Sequence, residues 1–379
     1  MHFVIVTLVF LLMVTVLVAA HEYGHFLFAR LNRMEVEEFS IGLGKPAWVW
    51  MRRKGTEYSF RPLPLGGFVR IKGMVPQEDG SEIEVPNGFY SKSPLARLSV
   101  LFAGPLFSVL AGIVLLTMLF ATVGQQVQTP YLGPIISKSA AEKAGLKEGD
   151  LVLKVDNKPI STWFQMQAEV RSHAETPITM EVNHQGQIEN VTLTPKKSDV
   201  PLPLVDINGD PVGGEAYGGQ IGVYPTTKVE RLPIGAAVEE SVRAPVKMVI
   251  GLGALFKKPS NFGDMMGGPG TIVVATSDAT KEGPYQVIFL AALLSISLGI
   301  MNLLPIYPLD GGQMTVAFAE LLRRGKRLSI EIQGLVNSVG FALVGLLIIS
   351  VLWVDFRRFV DPDKPAPAAH SQQTVPAKK

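Results

Sequence analysis

The sequence predicts a polytopic α-helical membrane protein of about four transmembrane helices, with a β-hairpin region on the cytoplasmic side and an inserted extracytoplasmic α+β domain. Three observations predict it. Hydrophobic residues make up 47% of the 379 positions and charged residues only 18%, a balance too apolar for an ordinary soluble protein and too charged for a bare bundle of spans. Four stretches, Phe3 to about Phe28, Leu98 to about Val123, Val287 to Leu304 and Leu335 to Val354, are apolar over the length of a bilayer crossing, which takes roughly 20 residues. The long segment between the second and third stretches carries alternating strand patterns punctuated by turns. A net charge of +2 argues for no nucleic-acid partner, and the absence of cysteine excludes disulfides, thiolate nucleophiles and thiolate metal ligands.

Residues 1–30 form the first span. Small residues in "LVAAH" also suit a signal-peptide cleavage site, but the start "MHFVIV" lacks Lys and Arg and the apolar pattern resumes in "FLFA", which favours a retained helix. The following segment is basic, with Arg33, Lys45, Arg52, Arg53, Lys54, Arg61, Arg70 and Lys72, and so is "LLRRGKRL" between spans three and four. That bias puts both loops in the cytoplasm and the segment between spans two and three outside, with Arg357 and Arg358 counting mildly against it. Within residues 31–96, "EYSFRPL" and "GGFVRIKG" read as short strands or a hairpin over 57–73, with Gly66 and Gly67 between the strands. With Trp48 and Trp50 this sheet either lies against the cytoplasmic leaflet or stands in water.

Span two occupies residues 97–124. Residues 125–199 read as a strand, a short helix ending at Gly145, a strand, an Asp-Asn turn, a helix over "TWFQMQAEVRSH" and two alternating strands. The run "SAAEKAGLKEGDLVLKVDNKPI" resembles bacterial PDZ domains, which implies that a peptide C-terminus pairs with an open sheet edge, with "YLGPI" (Tyr131 to Ile135) as the receiving loop. A non-binding structural domain is the alternative. Residues 200–233 read as a linker with an accessory strand, 234–258 as an amphipathic surface helix and 259–284 as a loop. Span three covers 285–304, a cytoplasmic loop 305–331, span four 332–354 and a disordered tail 355–379.

Polar clusters beside lipid are expensive and usually functional. "HEYGH" puts His21 and His25 one turn apart on one helix face, a spacing at which two imidazoles can hold one zinc ion, with Glu22 beside them able to take a proton from a water. Gly24 reads as close packing against another span. Catalytic zinc generally takes three protein ligands. His2, His173, His184 and His370 lie at the chain start, in the exterior domain or in the tail, so the candidate third ligand is Asp310 in "NLLPIYPLDGGQ". Its plainer alternative is a helix cap for the segment starting near Gly312. Pro305 and Pro308 must break the helix before it, and Gly311 and Gly312 allow a tight backbone there. Counted back from Arg30, the cluster sits on the order of 10 Å inside the cytoplasmic face, a depth Asp310 also reaches.

Together HEYGH, "LPLGGFVRIKGM", the PDZ-like insert and "NLLPIYPLDGGQ" resemble the site-2 protease family of intramembrane zinc metalloproteases, of the bacterial regulator of sigma-E protease type with one PDZ domain. The resemblance implies one zinc ion on His21, His25 and Asp310, with Glu22 as general base. It implies residence in the inner membrane and cleavage of single-span membrane proteins in the lipid bilayer, commonly anti-sigma factors already shortened outside. It also implies that Asn302 holds the substrate strand, with a helix-packing amide as the alternative. An unwound substrate would pair with the hairpin edge around Gly66, Gly67 and Phe68. Two features depart from the family. Ser108 stands where relatives often carry asparagine, leaving Gly104, Ser108 and Gly112 as a small-residue packing face, and only one PDZ-like pattern is present. A tethered scaffold would not need Glu22, and an ion transporter would need a polar ladder that the spans lack.

Overall fold

A computed structural model describes residues 2–45, 47–74, 84–199, 201–205, 211–257 and 268–360. These fall into two compact units: 2–119 with 234–245 and 268–360, and 120–233 with 246–257.

In the first unit α1 (His2–Leu31) leaves Phe3, Leu8, Leu12 and Val16 exposed. Such side chains can face lipid, which is as apolar as they are, while the helix keeps its backbone bonds internal. α2 (Pro94–Thr122) starts on a proline, where a missing N–H costs no helical bond, and carries Pro105 inside. α5 (Ile234–Lys257), α6 (Pro269–Glu282), α7 (Pro284–Asn302), α8 (Asp310–Leu322) and α9 (Ile330–Val360) follow later in the chain. Among the described residues, α1, α2, α7 and Glu331–Arg357 of α9 are long and apolar enough to cross a membrane, and the chain is an integral membrane protein.

Two of these helices fill stretches expected as loops. α6 lies within 259–284, and its first turn is tied by tertiary bonds: the amides of Gly268 and Gly270 and the Thr271 hydroxyl all donate to the Asp355 carboxylate of α9, at 3.2, 2.9 and 2.7 Å. No local pattern announces a cap delivered from a distant helix. α8 lies within 305–331. Gly311 and Gly312 weaken its local helical signal, but packing demands them, since a Cβ on Gly312 would meet the backbone of Ile306 and Tyr307.

Between α1 and α2 runs a four-stranded sheet of β1 (Val36–Leu43), β2 (Trp48–Arg53), β3 (Thr56–Phe60) and β4 (Leu63–Ile71) in the order β2-β3-β1-β4. β1 pairs parallel with β3 and antiparallel with β4. The expected 57–73 hairpin therefore does not form: β1 separates its two strands, and Gly66 and Gly67 lie inside β4. The reason is at Gly42. The chain passes from β3 to β4 over the end of β1, and a Cβ on Gly42 would lie 2.5 Å from the Arg61 carbonyl oxygen and 2.9 Å from that of Leu63. With φ at +92° as well, the crossing suits only glycine. β1 is central, and its inward-facing Glu38 accepts from the Ser59 hydroxyl and Arg61 at 2.7 Å and pairs with Arg70 at 3.3 Å.

A core of Ala29, Met34, Val36, Ile71, Phe89, Val100, Leu101 and Ala317 ties α1, the sheet, α2 and α8 together. Beside it Arg97 of α2 and Glu320 of α8 form an ion pair with side chains only 4% and 0% exposed.

The second unit contains β5 (Gln125–Ile135), α3 (Ala140–Lys143), β6 (Leu151–Val155), β7 (Lys158–Pro159), α4 (Trp163–Ser172), β8 (Ile178–His184) and β9 (Gln187–Leu193). The short pairs β10 (Lys196–Lys197) with β13 (Gly219–Gln220) and β11 (Leu202–Val205) with β12 (Pro211–Ala216) precede β14 (Val223–Glu230). Its main sheet runs β14-β5-β6-β8-β9, with β7 beside β6. Thr162 and Gln165 close a reciprocal capping box on α4, so the sequence "STWFQ" starts the helix where two orphan amides are satisfied. One expectation fails here. Tyr131 to Ile135 is no loop but the end of β5, with Leu132 opposite Pro225 and Tyr131 opposite Leu151. Within 200–233, read as a linker with an accessory strand, lies β14, an edge strand of this sheet, whose Val, Tyr and Thr residues outweigh the neighbouring Gly and Pro turn signals.

Candidate active site

Helix α1 carries His21, Glu22 and His25 to the point where α2 crosses closest. A Cβ on Gly24 would run into the carbonyl of Ala103, so glycine lets the two backbones touch. On α2, a Cβ on Gly104 would fall 2.8 Å from His21 Nε2 and closer still to the His25 ring, so Gly104 leaves a cradle for both imidazoles. The two rings stand edge to face with centroids 4.9 Å apart.

Asp310 enters from α8. It occupies the first helical position behind Leu309, and no side chain caps this helix, so the cap alternative is not realised. Its carboxylate turns instead to the histidines: Oδ2 lies 3.1 Å from His21 Nε2 and 3.4 Å from His25 Nε2, and the two Nε2 atoms are 3.2 Å apart. Tetrahedral zinc with bonds of roughly 2.05 Å separates its ligand atoms by roughly 3.3 Å. The three distances match that edge length, and the side chains are only 8%, 12% and 14% exposed. Among the described residues this is the group of three or more His, Asp or Glu side chains arranged to hold a metal. The donor set and the cradle both fit a zinc ion.

The far ring nitrogens are also held. His25 Nδ1 lies 2.8 Å from the Val100 carbonyl oxygen and His21 Nδ1 lies 2.9 Å from the Ser108 hydroxyl. Such outer partners orient imidazoles for coordination.

A cavity of about 230 Å³ opens onto the cluster, lined by His21, Glu22, His25 and Asp310 on its polar side and by Phe68, Val69, Ile71, Met74 and Pro308 on its apolar side, with Asn302 between. The Val69 amide donates to the Glu22 carboxylate. Asn302 donates one amide hydrogen to the Leu298 carbonyl at 2.9 Å and keeps a second for other partners. Phe68 is flanked by the guanidiniums of Arg61 and Arg70, at 4.9 and 5.6 Å from the ring centre. Gly67 sits 3.7 Å from Glu22 Cγ measured from an added Cβ, which would also strike the Ser40 carbonyl, so the β1–β4 contact needs glycine there. Gly66 faces the Leu43 side chain and does not line the cavity.

His21, Glu22, His25, Asp310, Asn302 and Phe68 thus line one cavity, while Gly66 and Gly67 do not. Sequence reasoning missed Gly104, Ser108 and the Val100 carbonyl as partners of the imidazoles. Their signal was present: positions 100, 104 and 108 recur every four residues along α2, and the small pair was read as helix packing alone.

The model for the family described as "Peptidase family M50" matches residues 9–347. Zinc metalloprotease RasP of Geobacillus kaustophilus is 29% identical over 92% of this chain and 97% of its own length. Metalloprotease MmpA of Caulobacter vibrioides is 27% identical over 94% of this chain and 96% of its own. A Clostridium acetobutylicum protein named for zinc metalloprotease activity is 32% identical over 89% of this chain and 93% of its own. The family model takes in both the HEYGH helix and the segment bearing Asp310, and the chain belongs to peptidase family M50, the site-2 protease family of zinc metalloproteases.

Proposed function

We propose that this chain hydrolyses peptide bonds within the transmembrane segments of single-span proteins, the second cut of a regulated proteolysis whose substrates include anti-sigma factors already shortened outside. The observation that carries the reading is the meeting of His21, His25 and Asp310 at tetrahedral spacing beside an apolar-walled cavity. In this reading those three side chains hold zinc and Glu22 is the general base. A bound zinc supplies Lewis acidity, polarising a peptide carbonyl and lowering the pKa of a water toward ~7. The Glu22 carboxylate takes the proton of the attacking water and returns it to the leaving amide nitrogen, a role typically worth ~10²–10⁴-fold in rate. The apolar wall of Phe68, Ile71 and Met74 limits competing water.

A helical substrate hides its carbonyls, so it must unwind before attack, and its freed backbone groups then need partners. The outer edge of β4, along Gly66, Gly67 and Phe68, supplies them by strand addition, and Asn302 donates its second amide hydrogen to the same strand. The basic loops favour a site near the cytoplasmic face of the inner membrane with the second unit outside. That unit reads as the PDZ-like module: it screens out substrates whose outer domain is intact, and the edge strand β14 offers a place for a peptide C-terminus. The test is Glu22→Gln in purified protein given a helical single-span substrate. Cleavage should fall by at least ~10²-fold with zinc content unchanged; a Gln variant that cleaves like the parent refutes the reading.

A further inference from the structure

The two histidines differ in how their outer nitrogens are held. His25 Nδ1 lies 2.8 Å from a main-chain carbonyl, which can only accept, so Nδ1 donates there and Nε2 is the nitrogen that faces Asp310. His21 Nδ1 faces the Ser108 hydroxyl at 2.9 Å, a group that can donate or accept. We infer that Ser108 is a positioning residue for His21: its oxygen accepts the Nδ1 proton, fixing the ring's rotation and leaving Nε2 unprotonated toward the ion. This rests on the reading of His21 as a ligand.

Several observations support the role. Ser108 is 0% exposed and does not line the cavity, so its hydroxyl serves the imidazole rather than a substrate strand. Its place is set from α7: the Ser295 hydroxyl donates to the Ser108 carbonyl at 2.7 Å, and Gly299 lets α7 approach until an added Cβ would lie 3.2 Å from Ser108 Cβ. α2 therefore serves the imidazoles over three successive turns, with an acceptor carbonyl at Val100, space at Gly104 and a hydroxyl at Ser108. The first of these is backbone and cannot be altered by substitution. The hydroxyl can.

Ser108→Ala removes only that hydroxyl from a closely packed position. Losing such a second partner typically weakens metal affinity 10–100-fold. Zinc affinity is measured by chelator competition on detergent-purified full-length parent, Ser108→Ala and Ser295→Ala, together with the visible spectrum of the cobalt(II)-loaded forms and the Tm of the metal-free forms. Ser295→Ala loses a hydrogen bond at the same helix contact but spares the partner of His21. The expected result is a 10–100-fold weaker zinc affinity and altered cobalt bands in Ser108→Ala alone. Parent-like affinity and spectrum in Ser108→Ala overturn the assignment, whether or not its Tm falls. Equal weakening in Ser295→Ala overturns it too, by showing that helix packing is what matters. Full zinc affinity in His21→Ala would instead refute the ligand reading on which it stands.

Discussion

Gly104→Ala asks the most of the site for the smallest chemical change. The new methyl would sit 2.8 Å from His21 Nε2, whereas ordinary van der Waals contact starts at 3.4 Å, so that imidazole must retreat by about 0.6 Å and His25 by more. A metal site tolerates roughly ±0.2 Å in its ligand distances. The imidazoles have nowhere to go, because their Nδ1 atoms are fastened to Ser108 and Val100 on the same helix. Zinc affinity should therefore fall by at least ~100-fold, about 2.8 kcal/mol, with proteolysis falling alongside. Gly112→Ala is the control, since its Cβ would strike Ile296 and Ala292 two turns away and tests the packing of α2 without touching the ligands. Chelator competition on both purified variants decides. Parent-like zinc binding in Gly104→Ala, or an equal loss in Gly112→Ala, would show that the cradle does not govern the ion.

Other substitutions test the surroundings. Arg97→Ala strands the Glu320 carboxylate in a site from which solvent is excluded, and should lower unfolding stability by about 3–5 kcal/mol; replacing both partners by Met should recover most of that in thermal melts, and failure to recover would deny that the unpaired charge is the cause. Burial alone would raise the Glu38 carboxyl, but Ser59, Arg61 and Arg70 hold it below its ordinary value. A depressed folded pKa gives stability that is present above the unfolded value of ~4.3 and lost as pH falls through the folded one. Glu38→Gln should thus be less stable at pH 7 and show a flatter acid limb than the parent; parallel limbs contradict this. Val69→Pro removes the amide that faces Glu22 while leaving the β1 side of β4 paired, and should slow cleavage with zinc retained. Unchanged cleavage would show that this amide does not help to place Glu22.

The metal-type cluster was legible because both of its signals are local: a one-turn histidine spacing inside an apolar helix, and a carboxylate stranded after two helix-breaking prolines. The four apolar helices were legible by length. What could not be read depends on neighbours. The hairpin reading paired the strands closest in sequence, and only the crossing at Gly42 lets β1 come between them. α6 was hidden because its start is tied by Asp355, 84 residues beyond Thr271. Ser108 looked like a packing residue because its meeting with His21 depends on how closely α1 lies on α2 at Gly24.

An ion seated between His21 and Asp310 would join positions 289 apart in the chain. The entropy of closing so large a ring rises only logarithmically, by about 0.6 kcal/mol per doubling of length. One coordination tie would therefore add to the packed core and the Arg97–Glu320 pair that already join these segments. A molecule nicked in its strand-rich insert should keep its two pieces associated while the ion stays, and release them more readily once a chelator takes it away.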